Sequence, residues 1–278
     1  IFLKHTGKHM ISQSSSFGIY VISLPKDVER RNRFSEQFSL KNHQFSYIPA
    51  INGKALDTSF YFDKILPFFL MHGVLMSPSE VGCALSHLDA LKKFLDSEYS
   101  HAIILEDDIE GNDKQLEIIN KMVPILRNNY IFIPGGQEGV NTSRLYGKKI
   151  HDNLYKIPKA SHPYIRRACC YVIPKETAQK ILLKQNKMLV IADWWDYLLT
   201  DTNIQLYYSK LLKHPIDLSN SNIQQEREKN IRIGLDYKSS FKKYLTYKLS
   251  LKFLLKEISR FKIGITFYYL RIKGYKKL

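Results

Sequence analysis

Residues Ser77 to Asp113, SPSEVGCALSHLDALKKFLDSEYSHAIILEDDIEGND, decide the fold. Ser77 or Ser79 can cap a helix over 79–97, where Val81, Leu85, Leu88, Leu91 and Leu95 recur at helical spacing. That helix is predicted to deliver into a short apolar strand, His101 to Leu105, which ends abruptly on Glu106, Asp107 and Asp108. A run of Ala, Ile and Leu without alternation marks a strand buried on both faces of an α/β sheet. The acids then stand at its carboxyl end, the edge where open α/β sheets bind ligands. Three adjacent carboxylates repel one another and lose solvation if buried, so a positive partner is expected. A hard divalent cation, Mn²⁺ or Mg²⁺, is the natural candidate, and it could in turn grip a diphosphate. A solvated acidic turn after a core strand is the competing reading.

The rest of the chain can supply such a sheet. Its 278 residues are 44% hydrophobic and 13% aromatic, enough for one large domain or two small ones. Cys83, Cys169 and Cys170 form neither a disulfide framework nor a metal-ligand spacing, and read as reduced core thiols of a cytoplasmic protein. No apolar run reaches spanning length and no secretory leader is visible, while 1–9 read as an expression-tag remnant before Met10.

Working outward, GIYVISL (18–24) reads as the first strand, stopped by Pro25, with Asp27 capping a helix that starts VERRNRFSEQF. Arg30 and Arg31 in that helix could reach phosphate or simply be solvated. FSYIPA (45–50) is a second strand before an Asn52-Gly53 turn, and 61–76 reads as apolar and irregular, wrapping the site. A helix over 113–128 interrupted at Pro124 leads to the strand YIFIP, broken by Gly135 and Gly136 at the same sheet edge. Gly136 would let backbone approach a sugar, with Gln137 and Glu138 bonding its hydroxyls. Strands are expected at 154–157, 168–173 and 204–208, and a helix from Pro174.

A second acidic cluster, VIADWWD (190–196), is expected to follow the end of an apolar strand. It places Asp193 and Asp196 three apart around Trp194 and Trp195, a pair that could form an aromatic platform for a sugar ring or belong to the core. His87 could be a core imidazole bonded to a carboxylate or take a direct role, and His214 could complete a metal shell with Asp108.

Ser79-Glu80-Val81-Gly82-Cys83-Ala84-Leu85-Ser86-His87, followed about twenty residues later by Ile104-Leu105-Glu106-Asp107-Asp108, resembles the signature of glycosyltransferase family 25. That family includes lipooligosaccharide galactosyltransferases of Gram-negative bacteria and collagen galactosyltransferase domains. The resemblance implies a GT-A-like nucleotide-sugar-binding fold: an α/β domain over 10–236 with a central, mostly parallel sheet flanked by helices. It implies an inverting, metal-dependent transfer of a hexose, galactose by preference, from a UDP-sugar to a lipooligosaccharide or lipopolysaccharide glycan. Ser23, Arg30 and Arg31 would lie against the nucleotide, and Glu80, Ser86 and His87 would shape the donor pocket. Asp108 would hold the metal, with Glu106 or Asp107 on the ribose or shaping the turn. Asp193 would be the base, supported by Asp196. The segment 215–224 resembles a donor-site rim.

The remaining 237–278 carries twelve Lys or Arg against one acid, Glu257, and so holds +11 of the chain's +16 net charge. Its Tyr, Phe, Leu and Ile spacing predicts one or two amphipathic helices of the kind that lie on an anionic membrane. An enzyme with a lipid-linked glycan acceptor, peripheral on the inner face of the cytoplasmic membrane, is therefore expected. The alternatives are a basic nucleic-acid-binding or membrane-binding protein without transferase activity, or a helical dimerisation arm. A nucleic-acid partner would leave both acidic clusters repelling phosphate, and is not expected.

Overall fold

A computed structural model describes residues 17–38, 45–73, 75–217, 223–224, 226 and 251–278. Residues 1–16, the middle of the expected donor-site rim (218–222) and the first part of the basic tail lie outside the described residues.

Among the described residues nine strands form one sheet, in the order β2-β1-β3-β7-β4-β8-β6-β5-β9. They are β1 (Phe17–Ser23), β2 (Phe45–Pro49), β3 (His101–Glu106), β4 (Tyr130–Gly135), β5 (Tyr146–His151), β6 (Leu154–Ile157), β7 (Cys170–Pro174), β8 (Gln205–Leu212) and β9 (Lys276–Lys277). Every residue of β1 and β4 is buried, and β3 is buried up to its terminal Glu106. The alternation that the sequence hides is resolved in space. Tyr20, Ile22, Ala102, Ile104, Ile131, Ile133, Tyr171 and Ile173 face one layer. Ile19, Val21, Ile103, Leu105, Phe132 and Val172 face the other.

Helices α3 (Pro78–Leu95), α5 (Lys175–Lys187) and α6 (Trp195–Leu199) contribute to the first layer, while α1 (Val28–Gln37) and α4 (Asp113–Met122) supply Phe34, Leu116, Ile119 and Met122 to the second. Both predicted starts for α3 resolve to Ser77. Its side chain accepts from the Glu80 N–H while the Glu80 side chain accepts from the Ser77 N–H, a complete capping box.

The sheet is flanked by helices as expected, but its directions are mixed rather than mostly parallel. β2-β1-β3 and β4-β8 pair in parallel, whereas β7 runs antiparallel between β3 and β4. The chain leaves β4 at Gly135 and enters β7 at Cys170, opposite Leu105 at the carboxyl edge, so β7 runs back against both neighbours. The apolar stretch up to His72 is not irregular either: Thr58–His72 forms α2, capped by the Asp57 side chain on the Phe60 N–H and closed by left-handed Gly73. Its outward face carries Phe62, Leu66, Leu70 and Met71, so no polar stripe reveals the helical period.

The basic tail contributes α7 (Leu251–Ile272) and β9. Its far end is tied into the sheet, because β9 pairs with β5, Phe267 stacks on Tyr146, and the Arg271 guanidinium donates to the Tyr146 hydroxyl at 2.8 Å. Among the described residues no helix is long and apolar enough to cross a membrane.

Candidate active site

β3 delivers its three acids where β1 ends and β7 begins. The Glu106 N–H donates to the Cys169 carbonyl at 2.8 Å and the Asp107 N–H to the Ile22 carbonyl at 3.2 Å, so the backbone of the acidic turn is held from both sides. Each carboxylate then meets a different partner. Glu106 Oε1 lies 3.2 Å from His87 Nε2, and the other ring nitrogen of His87 lies 3.2 Å from the Tyr171 hydroxyl. His87 is thus a buried imidazole bonded to a carboxylate, delivered by α3.

Asp107 and Asp108 share one guanidinium. Arg30 Nε is 3.0 Å from Asp107 Oδ1, and Arg30 Nη2 donates to Asp108 Oδ2. His214, just beyond β8, brings Nε2 to 3.5 Å from that same Asp108 oxygen. Burial pushes the Asp107 carboxyl up to about 6 even though Arg30 opposes it. Burial acts the same way on Asp108, yet the hydrogen bond and charge of His214, with Arg30, hold that carboxyl below the ordinary carboxylate range. His214 is in turn raised, its loss of solvent being outweighed by Asp108.

The second acidic cluster lies in the same neighbourhood, through a residue the sequence reading did not single out. Asp193 Oδ2 accepts from the Arg167 backbone N–H at 2.7 Å, and Arg167 is left-handed, with φ +67°. Its guanidinium donates to the Gly136 carbonyl at 3.1 Å, and its charge is felt at His214. The thiol of half-buried Cys83 is pushed well up, first by loss of solvent around it and then by the charges of Glu106, Asp193 and Asp108, which it feels together. A bulky residue in the left-handed region would have been the signal for Arg167, but backbone conformation is not written in RRACC.

Several expected roles change. No strand precedes Asp193: β7 ends at Pro174 and α5 intervenes, so the cluster sits on a turn leading into α6. Trp195 is 2% exposed, packed edge-on to Tyr171 and donating to the Arg167 carbonyl at 3.3 Å, so it is core rather than a sugar platform. Trp194 is half-buried among Phe68, His72 and Tyr197, and Asp196 is half-exposed in α6.

Glu80 belongs to the α3 capping box. The Ser86 hydroxyl donates to the Gly82 carbonyl and accepts from the Ile51 N–H, tying α3 to the loop after β2. Arg31 donates to Ser23 Oγ at 3.2 Å and to the Pro25 carbonyl at 2.8 Å, bracing the β1–α1 turn; its guanidinium and Ser23 thus have structural partners. Asp27 stands at the α1 N-cap without a capping hydrogen bond, its carboxylate lying 3.9 Å from Arg30 instead. Gly136 takes φ +73°, with Cys169 Sγ where a Cβ would go. Gln137 is bonded to the Arg166 backbone, and Glu138 accepts from the His214 N–H at 2.9 Å.

A hard divalent cation fits the residues around Asp108. Asp107 Oδ2 and Asp108 Oδ1 are buried without a hydrogen-bond partner, and oxygen ligands suit Mg²⁺ or Mn²⁺. Cys83, His87 and Glu106 also bring three ligand atoms within 4.8 Å of one another, but sulfur is a poor ligand for either ion.

The sequence profile described as glycosyltransferase family 25 (LPS biosynthesis protein) matches residues 17–199. A glycosyltransferase 25 family member of Anopheles gambiae is 31% identical over 96 residues, covering 33% of this chain and 16% of the relative. Procollagen galactosyltransferase 2 of Homo sapiens is 24% identical over 174 residues, covering 59% and 27% respectively. Procollagen galactosyltransferase 1 of Danio rerio is 24% identical over 201 residues, covering 69% and 33%. The aligned stretches thus take in a third or less of these relatives. Among solved structures, S. aureus TarS 1–349 aligns at 10% identity over 70% of this chain and 60% of that one, with a TM-score of 0.38. With the profile spanning both acidic clusters and the α3 segment that precedes them, the chain belongs to glycosyltransferase family 25.

Proposed function

We propose that the protein transfers a hexose from a UDP-sugar to a hydroxyl of a lipooligosaccharide or lipopolysaccharide glycan, with inversion at the anomeric carbon. Galactose is the hexose we name, since the human and zebrafish relatives carry names for galactosyl transfer; UDP-glucose and a UDP-N-acetylhexosamine are the alternatives. One observation carries the reading: two buried carboxylate oxygens, on Asp107 and Asp108, stand without partners at the carboxyl edge of the sheet.

The residues divide the work. Asp108 and His214 would hold a divalent cation, Mn²⁺ or Mg²⁺, whose chemistry is to neutralise charge on a departing diphosphate. Asp193, positioned by the Arg167 N–H, takes the proton of the acceptor hydroxyl as its oxygen attacks C1. The C1–oxygen bond to the phosphate breaks on the opposite face, and its electron pair leaves with UDP. Asp196 supports the acceptor. His87 orients Glu106, and Trp194 lines the acceptor side.

The acceptor is lipid-linked in this reading, and α7 lies on an anionic membrane at the inner face of the cytoplasmic membrane. Support comes from its outward Ile265, Tyr268, Tyr269 and Ile272, each more than half exposed, on a helix whose neighbouring positions are rich in lysine. A panel of nucleotide sugars with Mn²⁺ tests the donor by protection against thermal unfolding. A ligand at a hundredfold its Kd adds about 2.7 kcal/mol. One UDP-sugar should stand out, and Asp108→Asn should abolish its effect; a flat panel overturns the reading.

A further inference from the structure

We propose that Arg30 is an exchangeable counter-ion: in the free protein its guanidinium holds the cation position between Asp107 and Asp108, and it moves onto the donor's diphosphate when a divalent cation arrives. The inference rests on the metal-dependent reading above and assigns a residue to the step that precedes chemistry.

The geometry is that of a stand-in. Arg30 comes from the first turn of α1, 78 residues from Asp108, and splits its donors between two carboxylates rather than pairing bidentately with one. Bidentate pairing is the guanidinium's preferred arrangement with a single carboxylate. Divided in this way it leaves Asp107 Oδ2 and Asp108 Oδ1 buried and unpartnered. The cluster therefore retains demand for a cation of higher charge.

That cation and the guanidinium cannot share the same oxygens, since like charges at contact distance in a partly buried site repel strongly. Of the two, Arg30 is the one free to leave. Its side chain is 29% exposed against 6% for Asp107, and a long flexible stem carries its head. Once displaced it needs an anion close by. A diphosphate bound by the incoming cation provides one, and a planar fork of N–H donors matches phosphate oxygens. Two consequences follow. The cation alone binds weakly because it must evict Arg30, and cation and nucleotide favour each other because the diphosphate gives the guanidinium that the cation displaces a new partner.

The test is Mn²⁺ binding to the full chain, read from the electron paramagnetic resonance signal of free Mn²⁺, with and without UDP, in wild type and Arg30→Gln. Without UDP, Arg30→Gln should bind Mn²⁺ about tenfold more tightly or better, since a competing cation has gone. Equal or weaker binding by the variant overturns the exchange. If neither protein binds Mn²⁺ even with UDP, the metal-dependent reading falls and the exchange with it. If both bind equally well, the exchange alone fails.

Because Arg30→Gln leaves two acids uncompensated and could unfold the chain, a second measurement uses the wild type. In ¹⁵N-arginine spectra the Arg30 Nε–H should be protected from solvent exchange in the metal-free protein, and its resonance should shift on adding Mg²⁺ with UDP but not UDP alone. A resonance unmoved by Mg²⁺ and UDP together overturns the proposal.

Discussion

Arg167 donates its backbone N–H to Asp193 Oδ2 at 2.7 Å from a left-handed conformation, so the backbone fixes that carboxylate oxygen in place. Asp193→Asn preserves an acceptor for that N–H and removes the basicity. We expect turnover to drop by about 10²–10⁴, the usual contribution of a general base, with the unfolding midpoint and donor affinity near wild type. Asp196→Asn should lower turnover by less than about tenfold. Steady-state kinetics on the two variants decide between them, and the reverse ranking would move the base to Asp196.

The acids themselves were legible because every signal for them is local. An apolar run of strand length, a capping Ser77 and a stop on three carboxylates specify α3, β3 and the loaded sheet edge without knowledge of the rest of the chain. Arg30 was legible only as a residue near the donor, because its pairing with Asp108 spans 78 residues and depends on how α1 lands. Trp195 looked the same in sequence as a sugar platform. Only the packing of Tyr171 against it shows that its face is covered. The direction of β7 was hidden because it depends on the sheet edge at which the chain re-enters, and the helicity of α2 because its exposed face is as apolar as its buried one, so the run carries no period of its own.

Gly82 sits within α3, where helix propensity alone predicts that Ala would stabilise by about 1 kcal/mol. Packing reverses the sign. A Cβ there would lie 2.5 Å from the Ile51 carbonyl oxygen and 2.6 Å from the Gly53 nitrogen, backbone atoms that cannot rotate aside. Overpacking of this kind costs about 1–3 kcal/mol, so Gly82→Ala should be net destabilising in urea unfolding. Because α3 also carries His87, turnover should fall further than stability explains. A more stable variant would mean that the helix–loop contact is looser than described.

His162 is buried with Nε2 unpartnered in the turn Lys159–Tyr164, and burial lowers its pKa to about 4 from the ordinary 6.5. A depressed histidine stabilises the fold fully above 6.5, and that contribution is lost as pH falls toward 4. The loss amounts to about 3 kcal/mol over the window. Asp107, raised to about 6, acts with the opposite sign: its contribution is lost as pH rises through that value and returns on acidification. The wild-type profile therefore mixes the two, whereas its difference from His162→Gln isolates the histidine. Urea unfolding at pH 7 and pH 4.5 should show the variant losing less stability on acidification; equal losses would place a proton, or a partner, on the buried ring.

The tail has to be tested by charge rather than by deletion. Removing 237–278 would strip β9 from β5 and Phe267 from Tyr146, so lost activity after truncation would report on the fold as much as on a membrane. Replacing Lys252, Lys256, Arg260 and Lys262 with Ser leaves both Phe267 and Arg271 in place. Each cation near an anionic bilayer contributes roughly 1 kcal/mol, so the four together should weaken binding to phosphatidylserine vesicles by about a thousandfold, while binding to neutral vesicles changes little. Flotation measures this directly, and salt should mimic the substitutions because the attraction is screened. Donor hydrolysis in solution should persist while turnover on acceptor presented in vesicles falls. If all four substitutions leave flotation intact, the charge of α7 serves some other partner, and the exposed stripe of Ile265, Tyr269 and Ile272 must be explained without a bilayer.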